Sequence, residues 1–190
     1  MNIKRVMAIL TLSKVFFCSG EGFAELIDKP PFFVGGEVSY IKYEEPGVME
    51  EKGMIVDIAH CSRQCVTEIL AMARRPVVSS HGGVQATCKV NRNLSDEHIK
   101  GVAATGGIIG IGYWDGAICD TSPKSVAKAM KHVRDLVGIQ HVALGSDYDG
   151  ATTVRFDSSK LVQVSQALLD EGLTPDEMRA VMGGNAIRVL

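Results

Sequence analysis

Apolar residues in the second half of the chain fall into four short runs, separated by stretches in which they recur every three to four positions. The first run is Gly53-Met54-Ile55-Val56-Asp57-Ile58-Ala59-His60; the others cover residues 77–80, 108–113 and 141–146. Short runs rich in branched side chains read as strands buried on both faces of a parallel sheet. Between the first two, Ser62 caps a helix with Val66, Ile69, Leu70 and Met72 at helical spacing, and this helix must end before Pro76. Ser95-Asp96-Glu97 opens another through Ala104, stopped by Gly106-Gly107. Thr121-Ser122-Pro123 opens a third through Val126, Met130 and Val133 to Val137, where Gly138 ends it. Two more helices are expected near residues 160–171 and 175–182.

Strand and helix thus alternate four times, so the fold class is α/β, with a parallel sheet or part of a barrel. The first 52 residues are harder to read. Residues 6–12 suit either a strand or the apolar core of a signal peptide, although Lys14 interrupts the run and no small-x-small cleavage site follows. Residues 18–51 carry Gly20, Gly22, Pro30-Pro31, Gly35-Gly36 and Pro46-Gly47, which predicts a loop with one short helix ending at Lys52. The domain division is therefore a poorly defined segment over residues 1–52, holding one possible strand, and a folded unit over residues 53–190.

With 190 residues and 46% hydrophobic content the chain can bury a full core. A net charge of -2 supplies no basic field for a phosphate backbone, which argues against nucleic acid as a partner. No apolar run is long enough to span a bilayer. Five cysteines without paired short spacings are expected as reduced thiols, which places the protein in the cytoplasm, with export as the alternative.

The candidate chemistry sits where strands end. His60 closes the first run, His81 follows the second 21 positions later, and Asp147 closes the fourth. Enzymes built on parallel strands place their reactive groups at the carboxyl ends, so these three would face one mouth. Two imidazoles and a carboxylate can hold a divalent metal that makes a nucleophile of bound water. Cys61 is expected to point away from His60, as neighbouring side chains do in a strand. His98 and His132 fall on helices among charged residues, and His141 starts a strand at the opposite end, so none of these three receives a role.

Five ordered motifs carry a family resemblance: Asp57-Ile58-Ala59-His60-Cys61-Ser62, Ser80-His81, Asn91-Arg92-Asn93, Gly145-Ser146-Asp147-Tyr148-Asp149-Gly150 and Gly183-Gly184-Asn185-Ala186-Ile187-Arg188-Val189. From Gly53 to Leu190 the chain resembles the membrane (renal) dipeptidase family of zinc peptidases. The resemblance implies an eight-stranded (β/α)8 TIM-type barrel, of which this chain is the C-terminal portion. It implies dipeptide hydrolysis at a two-zinc site, tolerance of D-residues at the C-terminal position and, in some members, β-lactam substrates. By position, His60 and His81 match two ligands of one zinc, and Asp147 matches a carboxylate that works at the other zinc and in proton transfer. Arg92 matches the residue that holds the substrate carboxylate, a role that suits its bidentate fork.

The departures are equally specific. The family's first strand carries a His-x-Asp pair, and no such pair occurs here. A metal-bridging glutamate has only Glu21 or Glu25 as candidates, by chain order alone, and Lys14 stands where a substrate-contacting histidine is common. The N-terminal strands of the barrel are missing on this alignment, and at most one zinc is supported. The expected function is a zinc-dependent dipeptidase, or a truncated member of that family. The alternative is a catalytically inactive half-barrel remnant or interaction subunit, and a homodimer could close the barrel. A phosphate-binding barrel using glycines near Gly145 or Gly183 is a weaker third reading, since no phosphate-loop lysine accompanies them.

Overall fold

The computed structural model describes residues 54–190. The expectations for the N-terminal segment, including a strand over residues 6–12, a helix ending at Lys52 and the candidates Lys14, Glu21 and Glu25, lie outside the described residues. Four strands form one parallel sheet in chain order: β1 (Val56–Asp57), β2 (Val77–Gly82), β3 (Ile108–Ile111) and β4 (Val142–Leu144). Val56 lies opposite Val77, Val78 opposite Ile108, and Ile109 opposite Val142. Each strand pairs with the next through a helical crossover, which is the wiring of a barrel segment.

The crossovers are α1 (Arg63–Met72), α2 (Asp96–Ala104), the single turn α3 (Asp115–Ile118) and α4 (Pro123–Val137). After β4 come α5 (Val162–Asp170), α6 (Pro175–Arg179), a π-helical turn (Ala180–Gly184) and α7 (Asn185–Val189). The starts follow from capping chemistry, which satisfies amide groups left free in a first helical turn. Ser62 accepts from the Cys65 amide at 3.2 Å, Ser95 from His98 at 3.3 Å and Ser122 from Ser125 at 3.2 Å. Thr174 and Glu177 complete a reciprocal capping box at α6.

The core lies between the sheet and these helices. Ile69, Ile99, Val126, Met130 and Val133 from the helices meet Val77, Ile109 and Val142 from the strands, all fully buried. Burying each such side chain contributes about 1.5–3 kcal/mol against chain entropy.

The C-terminal motif closes the amino-terminal end of the sheet. Asn185 donates both amide hydrogens, to the carbonyls of Ile139 (2.7 Å) and Val142 (2.8 Å), while Arg188 donates to Gly106 (2.8 Å) and Gln140 (2.7 Å). His141 belongs to the same end, buried and bonded through Nδ1 to the Gly107 carbonyl at 2.7 Å. Gly183 therefore sits away from the strands' carboxyl ends. Gly145 is packed for a different reason, because a Cβ there would stand 2.5 Å from the Ser80 carbonyl oxygen. Neither position supports the phosphate-binding reading.

Two expectations are corrected. The first strand ends at Asp57, not His60. Cys88 and Cys119 form a disulfide, with Cα atoms 5.4 Å apart, so the expectation of five reduced thiols fails.

Candidate active site

The candidate residues stand at the carboxyl end of the sheet: His81 in the last residues of β2, and His60, Arg92, Trp114 and Asp147 on the connections after β1, β2, β3 and β4. The turn after β1 is built by Asp57, whose Oδ1 accepts from the amides of Ala59 and Ser80, both at 3.0 Å. One carboxylate thus joins the ends of two strands and sets the spacing of the two histidines that follow. His60 adopts φ 66° in the left-handed region, and Asp147, after β4, adopts φ 59°. Histidine and aspartate enter this region more readily than most side chains, at a cost of about 1–3 kcal/mol that clusters at functional sites.

The imidazoles converge. The Nε2 atoms of His60 and His81 are 2.8 Å apart, with ring centroids at 4.8 Å in an edge-on arrangement. Arg92 brings Nη1 to 3.0 Å from His60 Nδ1, and its guanidinium lies 5.1 Å from the centroid of the Trp114 ring. Ser80 Oγ is 2.9 Å from His81 Nδ1, and Asp147 Oδ1 is 3.9 Å from His81 Nε2. Hydrogen positions follow from donor capacity. Arginine can only donate, so His60 Nδ1 accepts, its proton rests on Nε2 and points at His81, and His81 carries its own proton on Nδ1 toward Ser80.

Desolvation and then the neighbouring Arg92 charge hold the His60 pKa below the usual imidazole value, with Asp147 opposing. Arg92 is itself lowered by partial desolvation. Among the described residues it makes no ion pair with a carboxylate.

Cys61 does not compete for a place here. Its thiol hydrogen-bonds with Cys65 on α1, and that bond together with burial pushes its pKa up, away from the thiolate a metal would need. The strand alternation expected to turn it away is absent, because His60 lies in a turn. His98 is half-buried rather than solvent-facing, with Nε2 3.1 Å from Thr67 Oγ1, and His132 pairs with Asp96 at 2.7 Å.

His60, His81, Arg92 and Asp147, singled out in the sequence, are thus brought to one mouth. Asp57, Ser80 and Asn93, which the sequence reading placed in its motifs without a role, contribute as well, as does Trp114, which it passed over. The signals were slight: a lone acid inside an apolar run, and a single tryptophan just past a strand. The two Nε2 atoms are donors of a type that a divalent metal accepts. Their separation is shorter than two nitrogens on one zinc would take, and no cluster of three or more His, Cys, Asp or Glu able to hold a metal ion occurs among the described residues. The donor types fit, and they supply half of a tetrahedral set.

The family is decided by the match of residues 47–190 to the membrane dipeptidase family, peptidase family M19. The chain belongs to that family. It is 35% identical over 150 residues to dipeptidase aclJ of Aspergillus oryzae, a match covering 75% of this chain and 36% of that protein. Dipeptidase verJ of Clonostachys rogersoniana is 31% identical over 147 residues, covering 75% and 38%. The chain therefore spans little more than a third of the length of these membrane dipeptidase relatives.

A metallopeptidase from Rhodobacter sphaeroides, solved with a phosphinate mimic of the dipeptide L-Ala-D-Ala, superposes with a TM-score of 0.73 at 20% identity. That match covers 82% of this chain and 47% of that one. PvdM, a probable dipeptidase from Pseudomonas aeruginosa, superposes with a TM-score of 0.71 at 19% identity, covering 80% and 54%. The fold is accordingly part of the membrane dipeptidase architecture, in a family of metallopeptidases.

Proposed function

We propose that this chain carries half of the active site of a zinc-dependent dipeptidase, in which His60 and His81 hold one zinc through Nε2, Asp147 moves protons and Arg92 binds the substrate's terminal carboxylate. The supporting observation is the convergence of two Nε2 atoms at 2.8 Å beside an arginine that has no carboxylate partner among the described residues. When bound, zinc would supply a water of lowered pKa as nucleophile. Holding it through both Nε2 atoms requires the His60 proton on Nδ1, so Arg92 must turn from that nitrogen, which frees its fork for a carboxylate. Asp147, in a tight turn above His81, is placed to accept and return a proton. L-Ala-D-Ala, the dipeptide mimicked in the Rhodobacter sphaeroides protein, is the substrate to test first.

The second reading, a catalytically silent remnant, is favoured by the donor count, since among the described residues the acid that pairs with an imidazole here, Asp147, stands 3.9 Å from His81 Nε2. Zinc stoichiometry and hydrolysis of L-Ala-D-Ala by the full chain separate the two. Close to two zinc ions per assembled site with turnover supports the enzyme, and metal-free inactive protein supports the remnant. The first reading takes its remaining ligands from a second copy of the chain or from residues outside those described. The Cys88–Cys119 disulfide favours an oxidising compartment over the cytoplasm.

A further inference from the structure

Arg92 sits on a loop, residues 83–94, whose two ends are stitched together. Gln85 donates to the Leu94 carbonyl at 2.9 Å and Leu94 donates to the Gly83 carbonyl at 3.0 Å. Near its start Gln85 accepts from Arg63 on α1, and the body of the loop is fastened to the single turn α3. Cys88 is joined to Cys119 by the disulfide. Asn93, 1% exposed, gives one amide hydrogen to the Cys88 carbonyl (2.8 Å) and the other to the Ala117 carbonyl (2.9 Å). At Gly83 a Cβ would overlap the Ala117 carbonyl and come within 2.6 Å of Asn93 Oδ1. That Oδ1 is buried with no hydrogen-bond partner, so the amide's polar role here is carried by its two donors alone.

Both walls of the guanidinium site hang on this clasp. Arg92 is the residue before Asn93, and Trp114, the platform beneath the guanidinium, is the N-cap residue of α3. We infer that Asn93 and the Cys88–Cys119 disulfide are positioning elements that hold Arg92 over Trp114, and that they thereby set the affinity of the site for a peptide carboxylate. The last clause rests on the proposed role of Arg92. A loop fixed at both ends and tied at its body presents its cation already ordered, which removes an entropic cost from carboxylate binding.

Trp114 is the single tryptophan of the chain, so its emission reports on the guanidinium above it. The experiment uses the full chain and compares emission and acrylamide quenching in Arg92→Ala, in the Cys88→Ser/Cys119→Ser pair, and in the triple variant. L-Ala-D-Ala is then titrated into each. The expected result is that opening the disulfide changes Trp114 emission in the direction of Arg92→Ala, and that this change disappears when Arg92 is already absent. Dipeptide affinity should fall by about tenfold when the disulfide is opened, the weakening expected of one charge-assisted contact held out of place.

An emission change of equal size with and without Arg92 would overturn the positioning role, as would unchanged dipeptide affinity beside a measurable native affinity. Should native protein bind no dipeptide, the carboxylate role of Arg92 fails, and the ligand-free emission cycle still decides the positioning. Asn93→Asp, which deletes both donors and leaves the disulfide in place, supplies the same comparison if the serine pair does not melt cooperatively.

Discussion

His60 shows how much of this site is decided one residue at a time. A left-handed turn after two residues of strand, not the strand itself, aims its ring at His81. His60→Ala and His81→Ala should each lower bound zinc measured by atomic absorption, and unchanged zinc in either variant would strike that residue from the ligand set. Gly150 stands where a Cβ would overlap the Asp147 carboxylate, so Gly150→Ala should displace that acid and reduce turnover with little change in melting temperature. Equal kcat in the variant would show that Asp147 needs no such placement. His60 and His98 are both held below the ordinary value of 6.5, each by burial first, then by Arg92 for His60 and by Arg63 for His98. Above about pH 6.5 folded and unfolded chains both keep these rings neutral; below it the unfolded chain binds protons first, so stability falls as pH drops. Metal-free protein should therefore melt lower at about pH 5.5 than at about pH 7, with a shallower fall in His98→Gln. Identical slopes would show that His98 contributes nothing to it. That His60, His81 and Asp147 would gather at one mouth was legible in the sequence, because chemistry at strand ends leaves a polar residue after an apolar run; Arg92 was singled out by the family resemblance alone. The role of Asp57 was not legible, since an acid in such a run gives no sign of which amides it will accept from.

At the scale of elements, helix starts were the clearest feature, because a capping side chain acts on amides two or three residues away. Ser122→Ala should cost α4 about 1 kcal/mol, read as a shift in the urea midpoint. A midpoint unmoved within error would mean that another group caps the turn. The longest helix was bounded within its breakers, Pro123 at the start and Gly138, at φ 102°, at the end. Strand lengths were less legible: residues 53–60 and 141–146 shorten to Val56–Asp57 and Val142–Leu144. Apolar composition marks a buried segment, whereas strand limits depend on which neighbour offers a hydrogen bond. The turn α3 and the final helix α7 escaped notice for the same reason, as segments of four and five residues held by tertiary partners such as the Asn185 and Arg188 bonds.

Among the described residues the molecule is built on a four-stranded sheet whose outer strands, β1 and β4, each pair on one side only. Val162 and Leu169 on α5, Met182 beyond α6, and Ile187 with Leu190 at the C-terminus are exposed on the elements that follow β4. Unpaired edges and apolar surface of this kind favour association. Sedimentation should accordingly give a mass above the 20.4 kDa of one chain, lowered toward it by Val162→Asp with Ile187→Asp. A monomer at all concentrations would mean that the surface is covered within one chain.

What the sequence determined alone was local or periodic: strand and helix in alternation, caps and breakers at the helix ends, and the polar residues that end apolar runs, while the dipeptidase half barrel was implied by the resemblance of its five ordered motifs. Tertiary structure alone decided which groups touch. It placed two Nε2 atoms 2.8 Å apart, set Arg92 over the single tryptophan, and joined two cysteines 31 positions apart that composition had suggested were free. Spacing along the chain limits what can meet, while contact at ångström scale depends on the packing of loops that carry no periodic signal.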